Sequence, residues 1–261
     1  MNNAKKGFTL VEVALFLALS GILVAGVISG TNRSLARQRY NNSVETFKDF
    51  ISNIYSQVLY TQTTRPEPGR SEQAIYGKLI TFGENEDPTV HTYTVVGKVL
   101  SSKDISNIGH LTTIEALDYV GVTLYDDSGE LIDEKTYDPK WGTSIEHDSD
   151  IESSDKKLEL AVLIARSPVS GAISTYVSPE MINPHGGTEI KLKKYLPSWN
   201  GYEERDPELE FKPKEINFCL NSEDKWAAGN FRRNIRINKN AHNSSAMEII
   251  NDDDEGNKCA E

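Results

Sequence analysis

From Phe8 to Ile28 the chain reads FTLVEVALFLALSGILVAGVI, 21 residues with Glu12 as the single charge. As a helix rising about 1.5 Å per residue, this stretch spans about 31 Å, the thickness of a bilayer's hydrocarbon core. That length argues against a wholly cytosolic enzyme. It is also too long for the apolar part of a cleaved secretory signal, and no small-residue cleavage site follows it. The residues that do follow are Ser29-Gly30-Thr31-Asn32-Arg33. Glu12 resists the plain reading of a signal anchor. A carboxylate inside a spanning helix costs several kcal/mol unless it is paired or functional, so it marks a functional position by default.

The residues ahead of and inside the run, Lys5-Lys6-Gly7-Phe8-Thr9-Leu10-Val11-Glu12, resemble the class III leader and cleavage motif of type IV prepilins and type II secretion pseudopilins. The resemblance implies that a membrane-embedded prepilin peptidase cuts between Gly7 and Phe8 and that Phe8 becomes the N-methylated terminus. It implies that Glu12, at the fifth mature position, neutralises the N-terminal amine of a neighbouring subunit during assembly. An ammonium and a carboxylate attract strongly in a low-dielectric helix bundle, which gives the buried charge a partner. The other partners implied are further pilin subunits and an inner-membrane assembly platform. Location follows: single-pass in the cytoplasmic membrane with a cytoplasmic N-terminus before assembly, then an extracellular pilus or periplasmic pseudopilus. Charge counting alone does not give that orientation, because Arg33, Arg37 and Arg39 follow the span.

Beyond Gly30 the chain stays in helical register. Tyr40, Val44, Phe47, Ile51, Ile54 and Val58 recur every three or four residues, and no proline intervenes before Pro66. This predicts one helix from Phe8 to about Thr61, stopped by Thr64-Arg65-Pro66-Glu67-Pro68-Gly69. Gly21, Gly26 and Gly30 are places where it could loosen. The expected organisation is a leader at 1–7, a membrane or filament-core helix at 8–30, its amphipathic continuation at 31–63, and an extracytoplasmic β-rich domain at 64–261. The expected fold class is α+β, pilin-like: a long N-terminal helix packed on antiparallel sheet, with an enlarged β-rich C-terminal region.

In that domain the strand candidates are Ala74–Phe82, Val90–Gly97, Tyr119–Tyr125, Leu131–Tyr137, Leu158–Ala165, Ala172–Val177, Ile216–Leu220 and Phe231–Asn238. Leu111–Asp118 reads as a short helix. Val122–Ile132 reads as a hairpin turning at Ser128-Gly129. At roughly 190 residues the domain is large for a major pilin subunit, which favours a minor one.

Charge divides unevenly. Residues 1–60 hold six basic and three acidic residues, while the remainder holds 22 basic and 36 acidic, a balance of -14. Such a polyanionic body opposes general nucleic-acid binding. Among like charges within a Debye length of about 8 Å it also opposes dense packing of identical copies.

Sequence motifs for catalysis are missing: no GxSxG, HExxH, Walker loop or Gly-rich dinucleotide turn occurs, so the chain reads as a non-enzyme. Cys219 and Cys259 are the two cysteines of an exported domain and read as one disulfide, with two free thiols as the alternative. Inside that interval, Arg232, Asn234, Arg236 and Asn238 alternate onto one face of a strand. They form either a local phosphate contact, with Arg232 and Arg236 touching nucleic acid, or an ordinary solvated edge. Asn251, Asp253 and Glu255 alternate oxygen donors ahead of Gly256, either a partial calcium loop or a solvated acidic tail. No other cofactor is indicated. The function read from all of this is a structural subunit of a surface filament for adhesion or motility. A type II secretion pseudopilin and a DNA-uptake pilin are the alternatives.

Overall fold

A computed structural model describes residues 9–60, 73–83, 89–126, 129–147, 160–178, 182, 184, 192–198, 207, 209–222, 232–239, 241–251 and 259. Helix α1 runs unbroken over Leu10–Tyr60, about 77 Å at 1.5 Å per residue. It passes through Gly21, Gly26 and Gly30 without interruption. Where the apolar run ends, the single Thr31 hydroxyl hydrogen is shared between the carbonyls of Val27 at 2.9 Å and Ile28 at 3.0 Å, folding the hydroxyl back onto the helix ladder.

One helix meets two environments. Leu10 to Ile28 is exposed on every side. From Tyr40 onward the stripe Tyr40, Val44, Phe47, Ile51, Ile54 and Val58 is buried, joined by Ser43 and Tyr55. Spacing of four and three residues stacks these side chains on one face, which turns into the body and becomes its core.

Two antiparallel sheets receive that face. The first comprises β1 (Gln73–Phe82), β2 (Val90–Lys98), β3 (Lys135–Tyr137), β5 (Leu160–Arg166) and β6 (Ile173–Ser178), in the order β3-β2-β1-β5-β6. The second comprises β4 (Thr143–His147), β7 (Ile216–Ser222), β8 (Arg232–Ile237) and β9 (Met247–Ile250), in the order β4-β7-β8-β9. The chain crosses from the first sheet to the second at Trp141-Gly142, both in the left-handed region with φ of 61° and 63°.

A shared core joins α1 to Ile80, Phe82, Val162 and Ile164 of the first sheet and to Phe218, Leu220, Ile235 and Ile237 of the second. The first sheet is covered on its other face too. Tyr93, Val95, Leu163 and Ala165 pack there against helix α3 (Thr113–Tyr119) and Leu192, Leu196 and Phe211. Burial on both faces explains why β5 reads LAVLIAR, continuously apolar, where a one-sided strand would alternate. Gly77 marks the register irregularity in β1. A Cβ there would lie 2.4 Å from the Ile164 carbonyl oxygen, so the close approach of β5 requires glycine.

The body differs from the sequence expectation in five places. Tyr119–Tyr125 is no strand: α3 runs to Tyr119, the chain turns at Gly121 with φ of 61°, and the segment makes isolated bridges, Thr123 to Val96 and Tyr125 to Leu131. Of Leu131–Tyr137 only the last three residues are strand, and Leu131 makes a single bridge to Tyr125. The chain still reverses as expected, with Gly129 at φ of 83° and its amide donating to the Asp126 carbonyl at 3.0 Å; Ser128 lies outside the described residues. Strands β4 and β9 and helix α2 (Ser102–Ile108) had no counterpart in the sequence reading. The expected helix stop at 64–69 lies outside the described residues.

Candidate functional site

Thr9 and Glu12 close the membrane end of α1 on each other. The Thr9 amide and hydroxyl each donate to Glu12 Oε2 at 3.0 Å, and the Glu12 amide donates to Thr9 Oγ1 at 3.2 Å. This is a reciprocal capping box, the pattern Thr-x-x-Glu, which satisfies first-turn amides that have no partner inside the helix. The spacing was visible in the sequence and the capping role went unread there. Glu12 therefore has a local task besides any intersubunit one. Gly7 and Phe8, the residues flanking the implied cut, lie outside the described residues.

At the other end of the chain, Cys219 and Cys259 are bonded as a disulfide, with their Cα atoms 5.4 Å apart and 40 residues between them in sequence. Cys219 belongs to β7, opposite Asn234 of β8. The disulfide thus ties the chain terminus to the middle of the second sheet. Both cysteines are buried.

The same face carries the β8 residues read as a phosphate contact. Arg236 pairs with Glu248, its register partner on β9, at 2.5 Å. The hydrogen bond from Arg236 holds the Glu248 carboxyl below its ordinary range. Arg232 donates to the Cys259 carbonyl at 3.4 Å. Asn234 is fully buried and donates to Asn217 Oδ1 at 2.9 Å. Both arginines thus have partners within the chain. Of the calcium candidates, Asn251 follows β9, whereas Asp253 and Glu255 lie outside the described residues. Among the described residues no three His, Cys, Asp or Glu side chains gather closely enough to hold a metal ion.

Tyr40 and Tyr55 make polar ties from α1 to the sheets. Tyr40 Oη donates to the Leu220 carbonyl at 2.7 Å, and Tyr55 Oη and Thr175 Oγ1 share a hydrogen bond of 2.6 Å. Burial pushes the Tyr55 hydroxyl up to about 12 despite that bond. In the first sheet Lys78 is 5% exposed, and its ammonium donates to Thr94 Oγ1 at 2.6 Å and Asp133 Oδ2 at 2.7 Å. Burial alone would raise the Asp133 carboxyl. The Lys78 hydrogen bond and the charges of Lys78 and Lys135 outweigh it and hold the group below its ordinary range. A cleft of about 700 Å³ opens where α1 ends, between Tyr60, Tyr76, Leu100, Ile105 and Arg166.

The family described as the prokaryotic N-terminal methylation motif matches residues 2–28. No curated protein and no solved structure matches the chain. The matched residues end where the apolar run ends, and the long helix followed by antiparallel sheet agrees with a pilin-like layout. The apolar segment, long enough to cross a membrane, and the motif together support membrane anchoring through α1. The N-terminus of this chain is the class III leader of type IV pilins and pseudopilins.

Proposed function

We propose that this chain is a minor pilin, a low-stoichiometry subunit processed by prepilin peptidase and assembled into a surface filament for adhesion or motility. Its work is assembly and display, not catalysis. The observation that carries the reading is the methylation motif at the head of an apolar helix that the body leaves uncovered from Leu10 to Ile28. An exposed apolar surface of that length needs lipid before assembly and neighbouring helices after it. With those helices in the filament core, the body lies outside, and its balance of -14 favours sparse or tip placement among less acidic subunits.

Mass spectrometry of the protein from its native host tests the reading. The mature chain is expected to begin at N-methyl-Phe8 and to co-purify with sheared pili at a small fraction of the major subunit. A mature form retaining Met1 to Gly7 would overturn it. So would pili built mainly of this chain at physiological salt. A deletion that blocks secretion of hydrolases or DNA uptake, with piliation intact, would assign the chain to a pseudopilus or a competence filament instead.

A further inference from the structure

Arginines at positions 33, 37 and 39 stand on the far side of the span, where the positive-inside rule disfavours them. All three are exposed on α1 between the apolar segment and the body. Arg39 has a partner, its guanidinium lying over the Trp141 ring at 5.4 Å from the centroid. Among the described residues no ion pair involves Arg33 or Arg37, and no residue from Val13 to Val44 is acidic. Four residues apart, these two share a helix face. They repel each other there, a cost that an anion between them would cancel.

The face they share has an identity. Arg33, Arg37, Tyr40 and Val44 follow spacings of four, three and four, so the two arginines continue the buried stripe beneath the body. They stand about 7.5 and 13.5 Å beyond Ile28 along the axis. The headgroup zone beyond the hydrocarbon is about 5–7 Å thick on each side. Side chains on a helix lean toward its N-terminus, here toward the bilayer, and the long arginine stem carries the charge further in that direction. A helix tilt of about 20° lowers both heads again. Planar guanidinium forks match phosphate oxygens in pairs.

We propose that Arg33 and Arg37 form a clamp for the phosphate of an anionic phospholipid in the leaflet from which the body emerges. The lipid neutralises two charges that oppose the orientation of the chain and holds the unassembled subunit at a fixed depth. An acidic surface on a neighbouring subunit is the competing occupant. The height of the pair at the edge of the apolar run, and the lean of its side chains toward that edge, favour the lipid. The inference rests on the membrane-anchored reading of α1.

The full chain should be reconstituted into vesicles of equal phosphatidylglycerol and phosphatidylcholine, extracted in mild detergent and weighed intact with its bound lipids. Phosphatidylglycerol is expected to be retained over phosphatidylcholine by at least about fivefold, from the attraction of each basic side chain near an anionic surface. Arg33→Gln with Arg37→Gln should bring the ratio near one, while Arg39→Gln leaves it unchanged. Both positions are exposed, so the double variant should keep its disulfide and its circular dichroism. Equal retention of the two lipids by the native chain would overturn the clamp, as would a preference that survives the double variant. Crosslinking of Arg33→Cys to the body of a second copy, without lipid preference, would assign the pair to a subunit contact and also overturn it. Resistance of the vesicle-bound chain to carbonate extraction is scored separately. Failure there would fall on the anchoring of α1, not on the clamp.

Discussion

Phe47 packs against both sheets from the centre of the α1 stripe, and Phe47→Ala should leave the body only marginally stable. Its side chain is fully buried, with ring centroids 5.4 Å from Phe218 of the second sheet and 6.5 Å from Phe82 of the first. Tyr137 and Phe50 close the cluster at 5.7 and 6.3 Å. Truncating a buried phenylalanine costs about 3–5 kcal/mol through lost transfer energy and the cavity left behind. Because the Phe218 contact is edge-to-face, a geometry worth about 0.5–1.5 kcal/mol beyond area, the expected cost lies at the upper end, about 4–5 kcal/mol. Domains of this size are stable by about 5–15 kcal/mol, so the loss leaves the body marginal. Urea titration of the full chain in detergent micelles, followed by tryptophan fluorescence, reads the effect as a midpoint lowered by about 2 M. Leu17→Ala supplies the contrast. Leu17 is 64% exposed on the apolar half of the same helix, and its truncation should shift the midpoint negligibly. A Phe47→Ala loss below about 1 kcal/mol would refute the claim that one side chain couples α1 to both sheets. Equal losses from the two variants would refute it as well.

Cys219→Ser with Cys259→Ser should destabilise the body by about 4 kcal/mol on the chain-entropy estimate for a 40-residue separation, read by the same titration. Asp133→Ala should cost more than Lys78→Met, about 3 against about 1 kcal/mol, because the first strands a buried ammonium and the second frees a half-exposed carboxylate to reach water. With its folded value held low, Asp133 contributes stability that is full above the unfolded carboxyl range near 4. That contribution is lost as pH falls through the folded value, so Asp133→Asn should flatten the acid limb of a stability profile. Glu12→Ala should be processed and membrane-inserted normally yet enter filaments poorly; normal incorporation, scored by immunoblot of sheared pili, would leave Glu12 with only its capping role.

The long helix was legible because periodicity survives any context. The sequence predicts Phe8 to about Thr61 where α1 spans Leu10–Tyr60, and all six stripe residues are buried. Strands β1, β2, β5, β6 and β7 were legible as β-type runs bounded by turn residues, and β8, RRNIRI, by its alternation. The elements missed share a weakness. β4 reads TSIEH and β9 reads MEII, short edge strands of their sheet with too few residues to show an alternation, and the ladder partner of β4 also lies more than 70 residues away. α2 reads SKDISNI, with almost no apolar face, and is announced only by its capping box, Ser101 with Asp104. Hydrogen bonds from Ser101 hold the Asp104 carboxyl down to about 2. At the N-terminus the methylation motif was legible outright, whereas the pairing of Arg236 with Glu248 depends on β9 and could not be read locally.

The packing sets which part of α1 yields under load. Above Tyr40 the helix is bound by the Tyr40–Leu220 and Tyr55–Thr175 hydrogen bonds and by a core that draws on both sheets. Bending it there would break contacts with each sheet at once. From Gly21 to Leu35 every residue is exposed and no body packing supports the helix, and Gly21, Gly26 and Gly30 each lower helix stability by about 1 kcal/mol relative to alanine. Nothing within the chain lies within 4 Å of where a Cβ would stand at any of the three, so its own packing does not require glycine at these positions. What glycine supplies there is a lower cost of opening the backbone ladder. Deformation of α1 under load therefore concentrates in this unsupported segment, while the half bound to the sheets stays fixed to the body. The disulfide at Cys219 extends that rigidity to the chain terminus, so the C-terminal sheet moves with α1.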